Sequence, residues 1–226
     1  MAIINNHSTK TLLVNNDNSY LFNYLDTLGL DLEVHNDFAD LKNVLINKED
    51  YPYSFDSSFE VDTFTDTSKG FVFYLKDGDK IVSTYAARVQ RPQTMKDGLS
   101  KVYSDFKTED LPTSLTSDLY YMYSSCQWVD TDYLGKRIGI TLDLLKKHFI
   151  FDKWGADVNY AIHKVNDTMI TYHKDKLYYS DSQYFFTKSD GDVGGAGGSN
   201  DTDYNVAWIF KNAFENKLSE IKITYP

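Results

Sequence analysis

Residues 128 to 142 read Trp-Val-Asp-Thr-Asp-Tyr-Leu-Gly-Lys-Arg-Ile-Gly-Ile-Thr-Leu. A strand here runs through a tight, glycine-containing turn straight into an amphipathic helix. That sequence of elements builds an anion site. Gly135 and Gly139 let the backbone come close to a ligand, and the first N–H groups of the helix have no acceptor within it. Those donors, the positive end of the helix dipole, and the charges of Lys136 and Arg137 together suit a phosphate or pyrophosphate.

Two phosphate motifs are excluded by spacing. A P-loop needs four residues between its first glycine and a Gly-Lys-Ser/Thr, and a dinucleotide fingerprint needs Gly-x-Gly-x-x-Gly. Neither is present. The segment instead resembles the acyl-CoA motif of the GNAT N-acyltransferase superfamily, commonly Val-x-Pro-x-Tyr-Arg-Gly-x-Gly-Ile-Gly between the fourth strand and the third helix. Here it is Val129-Asp-Thr131-Asp-Tyr133-Leu134-Gly135-Lys136-Arg137-Ile138-Gly139. Thr131 stands in place of the usual proline, Leu134 in place of Arg or Gln, and Arg137 in place of the middle glycine.

Element order along the chain agrees with that resemblance. Gly70 to Leu75 and Lys80 to Arg88 are β-rich runs around Lys76-Asp-Gly-Asp79, a hairpin with Asp-Gly in its turn. Leu119 to Val129 reads as the central strand. Ile138, Leu142, Leu145 and Phe149 then repeat at helical spacing. Trp154 to Ile162 reads as a buried strand and Val165 to Tyr178 as a further helix. The expected fold is therefore α/β (α+β): a GNAT-like central mixed, mostly antiparallel β-sheet flanked by helices and splayed at strands 4 and 5. One domain is expected over residues 1–226, with its core at about 70–187, N-terminal helices at 18–47 and a glycine-rich loop at 190–200.

The remaining segments are read from local signals. Residues 1–10 look like a loose leader, and Thr11 to Val14 and Phe59 to Phe64 like short strands. Asn18 is a candidate helix cap, with Tyr20, Leu21, Tyr24, Leu25 and Leu28 on one face and Gly29 as the stop. Phe38 to Asn47 reads as a second helix. Arg91 to Ser117 is a long polar connection. The end of the chain reads as a helix over Ala207 to Leu218 followed by an edge strand over Ile221 to Tyr225.

Composition narrows function. A net charge of -10 argues against general nucleic-acid binding, which depends on Lys and Arg neutralising phosphates. The same charge fits a cationic acceptor such as an amine. The one cysteine, Cys126, has no disulfide partner, and no His/Cys cluster has zinc spacing, so no metal is expected. No apolar run reaches the length of a membrane span and no signal pattern opens the chain, which predicts a cytoplasmic protein with no membrane partner.

The resemblance implies an acyl-CoA-dependent N-acyltransferase that moves an acetyl or other acyl group from coenzyme A to an amine by direct attack in a ternary complex. Acetyl-CoA is the implied cofactor. The amine acceptor is a small molecule, peptide, protein or modified base. By the same resemblance, the backbone of Gln127, Trp128 and Val129 would hold the pantetheine arm in the gap between strands. Leu134, Gly135, Lys136, Arg137, Ile138, Gly139 and Ile140 would hold the pyrophosphate, with Asn166 at the start of the next helix. Tyr172 in that helix is the candidate general acid, competing with Tyr178 and Tyr179. With no carboxylate between Leu119 and Val129, His163 is the candidate base. The alternatives are a catalytically silent GNAT-like binding module and an aminoacyl or long-chain acyl transferase.

Overall fold

The computed structural model describes residues 15, 17–36, 38, 41, 44, 45, 69–90, 115, 118–164, 185–188 and 202–223. The first element is a helix, α1, Ser19–Thr27. It buries Leu21, Phe22 and Leu25, while Tyr20 packs only at the margin of the core. Gly29, at φ +67°, turns the chain out of it. Asn18 precedes the helix without capping it, because its side-chain oxygen accepts from the Asn15 N–H at 2.9 Å.

Seven strands form one sheet in the order β1-β2-β3-β4-β5-β7-β6. They are β1 Asp31–His35, β2 Gly70–Asp77, β3 Lys80–Val89, β4 Tyr121–Val129, β5 Val158–Lys164, β6 Phe185–Lys188 and β7 Thr202–Phe210. All neighbours are antiparallel except β4 and β5. The sheet is thus mixed and mostly antiparallel, as expected. The β2–β3 hairpin turns at Gly78, whose φ of +56° is the conformation an Asp-Gly turn requires. Between β4 and β5 lie a 3₁₀ turn, Thr131–Tyr133, then α2, Ile138–His148, and a π-helical turn, Phe149–Lys153. The last helix, α3, is Lys211–Ile223.

The two faces of the sheet are covered separately. Phe71, Phe73 and Leu75 of β2 share one core with α1, with Leu142 and Leu145 of α2, and with Phe214 of α3. Val72 and Tyr74 point the other way and meet Ala86, Trp128, Phe38, Leu41 and Leu45. Leu41, Val44 and Leu45 are helical, in agreement with the predicted second helix.

Three readings are corrected. Ala207 to Phe210 is strand rather than helix, because these residues pair with Val158 to Ala161 of β5. The terminal helix therefore begins at Lys211 and runs through Ile223, where a strand was expected. Trp154 to Asp157 is not strand: Gly155 turns there with φ +66°, and pairing starts at Val158. Strand β1, with Leu32 and Val34 turned inward, was not anticipated. The candidate strands at 11–14 and 59–64, the connection 91–114, the helix 165–178 and the glycine-rich loop 190–200 lie outside the described residues.

Candidate functional site

The site is built around a fork in the sheet. Parallel pairing of β4 with β5 runs from Tyr121↔Val158 to Ser124↔Ala161 and then stops. Beyond this point β4 continues to Val129, and β5 continues to Lys164, paired among the described residues only with β7. A bulge explains the parting. Two steps of β3, Thr84 to Ala86, face three steps of β4, Ser125 to Trp128. An extra residue in one strand bends it and increases its twist, which carries the second half of β4 away from β5. Among the described residues, no strand pairs with the β5-facing edge of β4 beyond Ser124.

Asn159 holds the closed end of the fork. Its fully buried side chain crosses from β5 and donates to Met122 O at 3.0 Å and to Ser124 Oγ at 2.7 Å. The bonds join the strands within their paired stretch, and the second reaches Ser124 at its last pair.

The open end of the fork leads into the glycine turn. Asp130 accepts from the Asp132 N–H at 3.0 Å and starts the 3₁₀ turn. Gly135 then adopts φ +77° and Arg137 φ +53°. The second value is unusual for a side chain other than glycine, and Arg137 stands where the motif usually has glycine. It is the N-cap of α2, and its carbonyl accepts from Thr141 N–H at 3.0 Å and Thr141 Oγ1 at 2.9 Å. The N–H groups of Ile138, Gly139 and Ile140 precede that first helical bond and have no acceptor within the helix. Tyr24 of α1 steadies the turn by donating to Lys136 O at 2.8 Å.

A Cβ on Gly139 would lie 3.3 Å from both Gln127 Nε2 and Val129 Cγ2, so the missing side chain lets the start of α2 sit close against β4. The same contact brings the Gln127 amide to Gly139 O at 3.0 Å. Helix start and fork are thereby locked together. Trp128 turns its ring to the opposite face, where it is buried, and Ile138 is buried beneath the turn. Leu134 is 63 % exposed, the one large apolar side chain so exposed among the described residues.

Charge around the turn is organised on Tyr133. The Lys136 ammonium lies 4.4 Å from the ring centroid and that of Lys80 5.5 Å, while the phenol donates to Asp77 in a short hydrogen bond. That bond to Asp77 raises the phenol's pKa. Lys80 also pairs with Asp130 at 3.0 Å and Asp132 at 3.7 Å. Its hydrogen bond to Asp130 raises its pKa. Among the described residues, Lys136 has no carboxylate at ion-pair distance.

The structure therefore brings Gln127, Trp128 and Val129 together with the stretch from Leu134 to Ile140. His163 lies in β5 past the fork, with its backbone opposite Asn205 of β7. Asn166 and Tyr172 lie outside the described residues. Sequence reasoning missed Asn159 and Tyr160, which flank the closed end of the fork. Their signal was only an asparagine and a tyrosine within a strand. Among the described residues no group of three His, Cys, Asp or Glu side chains could hold a metal ion, and no helix is long and apolar enough to cross a membrane.

No protein-family model matches the sequence, and no curated protein matches it by sequence. Solved structures do match. FeeM, an N-acyl amino acid synthase from uncultured soil microbes, is similar with a TM-score of 0.55 at 10 % identity, over 82 % of this chain and 91 % of that one. NAA60 of Arabidopsis thaliana, in complex with acetyl-CoA, gives a TM-score of 0.53 at 11 % identity, over 81 % and 99 % of the two chains. The spermidine/spermine N-acetyltransferase SpeG from Vibrio cholerae gives 0.51 at 11 %, over 84 % and 98 %. The likeness is one of fold: this chain has the GNAT fold.

Proposed function

We propose that the protein is an acyl-CoA-dependent N-acyltransferase that transfers an acetyl or other acyl group to an amine by direct attack in a ternary complex. The observation that carries this reading is the fork opening directly onto the start of α2. A strand edge with no partner strand among the described residues suits an extended arm that contains amides, and a helix start whose first three N–H groups have no acceptor within the helix suits a diphosphate. Coenzyme A has both parts in that order. Proteins of the same fold include one solved with acetyl-CoA and one named for acetylating spermidine and spermine.

The residues fit the group. The backbone of Gln127, Trp128 and Val129 holds the arm, and the stretch from Leu134 to Ile140 holds the phosphates, with Lys136 adding charge and Asn166 also assigned to the cofactor. Coenzyme A supplies an acyl group activated as a thioester. The chain must supply a base for the amine proton and an acid for the departing sulfur. These roles are assigned to His163 and Tyr172. The acidity of the chain, -10 overall, favours a cationic amine as acceptor.

Calorimetric titration with coenzyme A and acetyl-CoA tests the reading. Micromolar binding by the wild type and at least tenfold weaker binding by Lys136→Glu are expected. A folded wild type that binds neither ligand overturns the proposal.

A further inference from the structure

The closed end of the fork contains a buried hydroxyl. Tyr160 is 0 % exposed, and among the described residues its Oη has no hydrogen-bond partner. Its ring lies 5.2 Å from that of Tyr123 and 6.3 Å from that of Tyr121. The Arg88 guanidinium sits 5.4 Å above the Tyr123 ring. Register fixes the face. Tyr160 pairs with Tyr123 and Tyr123 with Arg88, alternating with Ala161, Ser124 and Ala87. Ala87 belongs to the core shared with α2, so Tyr160 projects from the opposite face. It is one residue short of Ala161, where the strands part.

A buried donor without an acceptor is costly, and native structures keep few of them. Tyr→Phe would remove this cost without changing the shape of the core. Retention of the hydroxyl at the fork calls for an acceptor that arrives with a ligand. The acyl-transfer reading, on which this inference rests, identifies it. With its phosphates at the start of α2, the donor runs back along β4 from Val129 toward Ser125, so its thioester end reaches the closed end of the fork.

We propose that the Tyr160 hydroxyl donates a hydrogen bond to the acyl carbonyl oxygen of the bound thioester, holding and polarising that carbonyl where β4 and β5 part. Burial raises the pKa of this phenol, and the Arg88 charge only partly offsets it, so the proton stays in place. The group acts as a fixed donor and not as an acid that titrates near neutrality.

Tyr160→Phe tests this through binding, without knowledge of the amine. Calorimetry should show the wild type preferring acetyl-CoA to coenzyme A. That preference should fall about two- to tenfold in the variant while the affinity for coenzyme A itself is unchanged, the range expected for one hydrogen bond. The melting temperature of the unliganded variant should equal or exceed that of the wild type. An unchanged preference in a stable variant that still binds coenzyme A overturns the assignment of Tyr160 alone. Failure of the wild type to bind either ligand overturns the acyl-transfer reading and this assignment with it.

Discussion

Arg137 adopts a backbone conformation that its side chain makes costly. At φ +53° and ψ +16°, its Cβ crowds the following carbonyl, a penalty of roughly 1–2 kcal/mol that glycine avoids. The turn needs this conformation to feed the helix, whichever residue stands there. Arg137→Gly should therefore raise stability by up to about 1 kcal/mol, since the greater freedom of glycine in the unfolded chain returns part of the gain. Urea denaturation measures it, and a loss of stability would mean that the arginine side chain has contacts worth more than the strain. Gly139 shows the converse. Its backbone is ordinary helix, yet a larger side chain would push Gln127 and Val129 off α2. Gly139→Val should destabilise by about 1–3 kcal/mol, as overpacking commonly does, and weaken coenzyme A binding by shifting the helix start against the fork. The two positions look equivalent in the sequence motif and are not equivalent physically. One needs a permissive φ and the other needs space, a distinction that spacing alone does not carry.

At the scale of elements, the fork depends on a balance between a bulge that opens β4 and an asparagine that closes it. Asn159 makes two buried hydrogen bonds across the parallel pair. Asn159→Ala leaves Met122 O and Ser124 Oγ without that donor and should cost about 2 kcal/mol. The fork would also open further toward Tyr121, so coenzyme A affinity should fall together with stability. A variant that loses stability but binds coenzyme A unchanged would show that the closed end is set by Tyr121 to Ser124 pairing alone. Neither device was legible in the sequence, because a bulge and a register exist only relative to a partner strand. What was legible was local. The β2–β3 hairpin declared itself through its Asp-Gly turn, and α2 through Ile138, Leu142 and Leu145 at helical spacing. The errors fell on short apolar runs. Ala207-Trp-Ile-Phe210 has no periodicity to separate strand from helix, and only its pairing with β5 decides it. Strand β1 passed unnoticed because its two inward residues, Leu32 and Val34, alternate with charged ones over a span of only five.

At the scale of the whole molecule, α2 is more than an amphipathic helix on a surface. From Thr141 to His148 every residue is buried, including Asp143, Lys146 and Lys147. The two lysines both bond to the Asp143 carboxylate, Lys146 Nζ at 2.6 Å from Oδ1, and Lys146 also lies 3.9 Å from the centre of the Tyr85 ring. One carboxylate thus bonds two ammonium groups, and all three side chains are buried. Burial, only partly offset by Asp143, pulls the pKa of Lys146 down to about 7, and burial lowers that of Lys147 too. In the unfolded chain both return toward 10.5. Between about pH 7 and 10.5 the unfolded state therefore binds more protons at Lys146 than the folded state does, and stability from this group rises with pH. Below pH 7 both states are protonated at this site, and the folded protein carries the full cost of the buried charge. Lys146→Met removes one of the two buried ammonium groups and keeps an unbranched stem beside Tyr85. The variant should be more stable than the wild type at pH 7, and its advantage should shrink steadily by pH 10. Comparing the two proteins cancels the self-repulsion of a chain whose net charge is already -10. A stability difference that stays constant from pH 7 to 10 would mean that Lys146 keeps the same charge throughout, and that the interior around α2 is wetter or better paired than its burial implies.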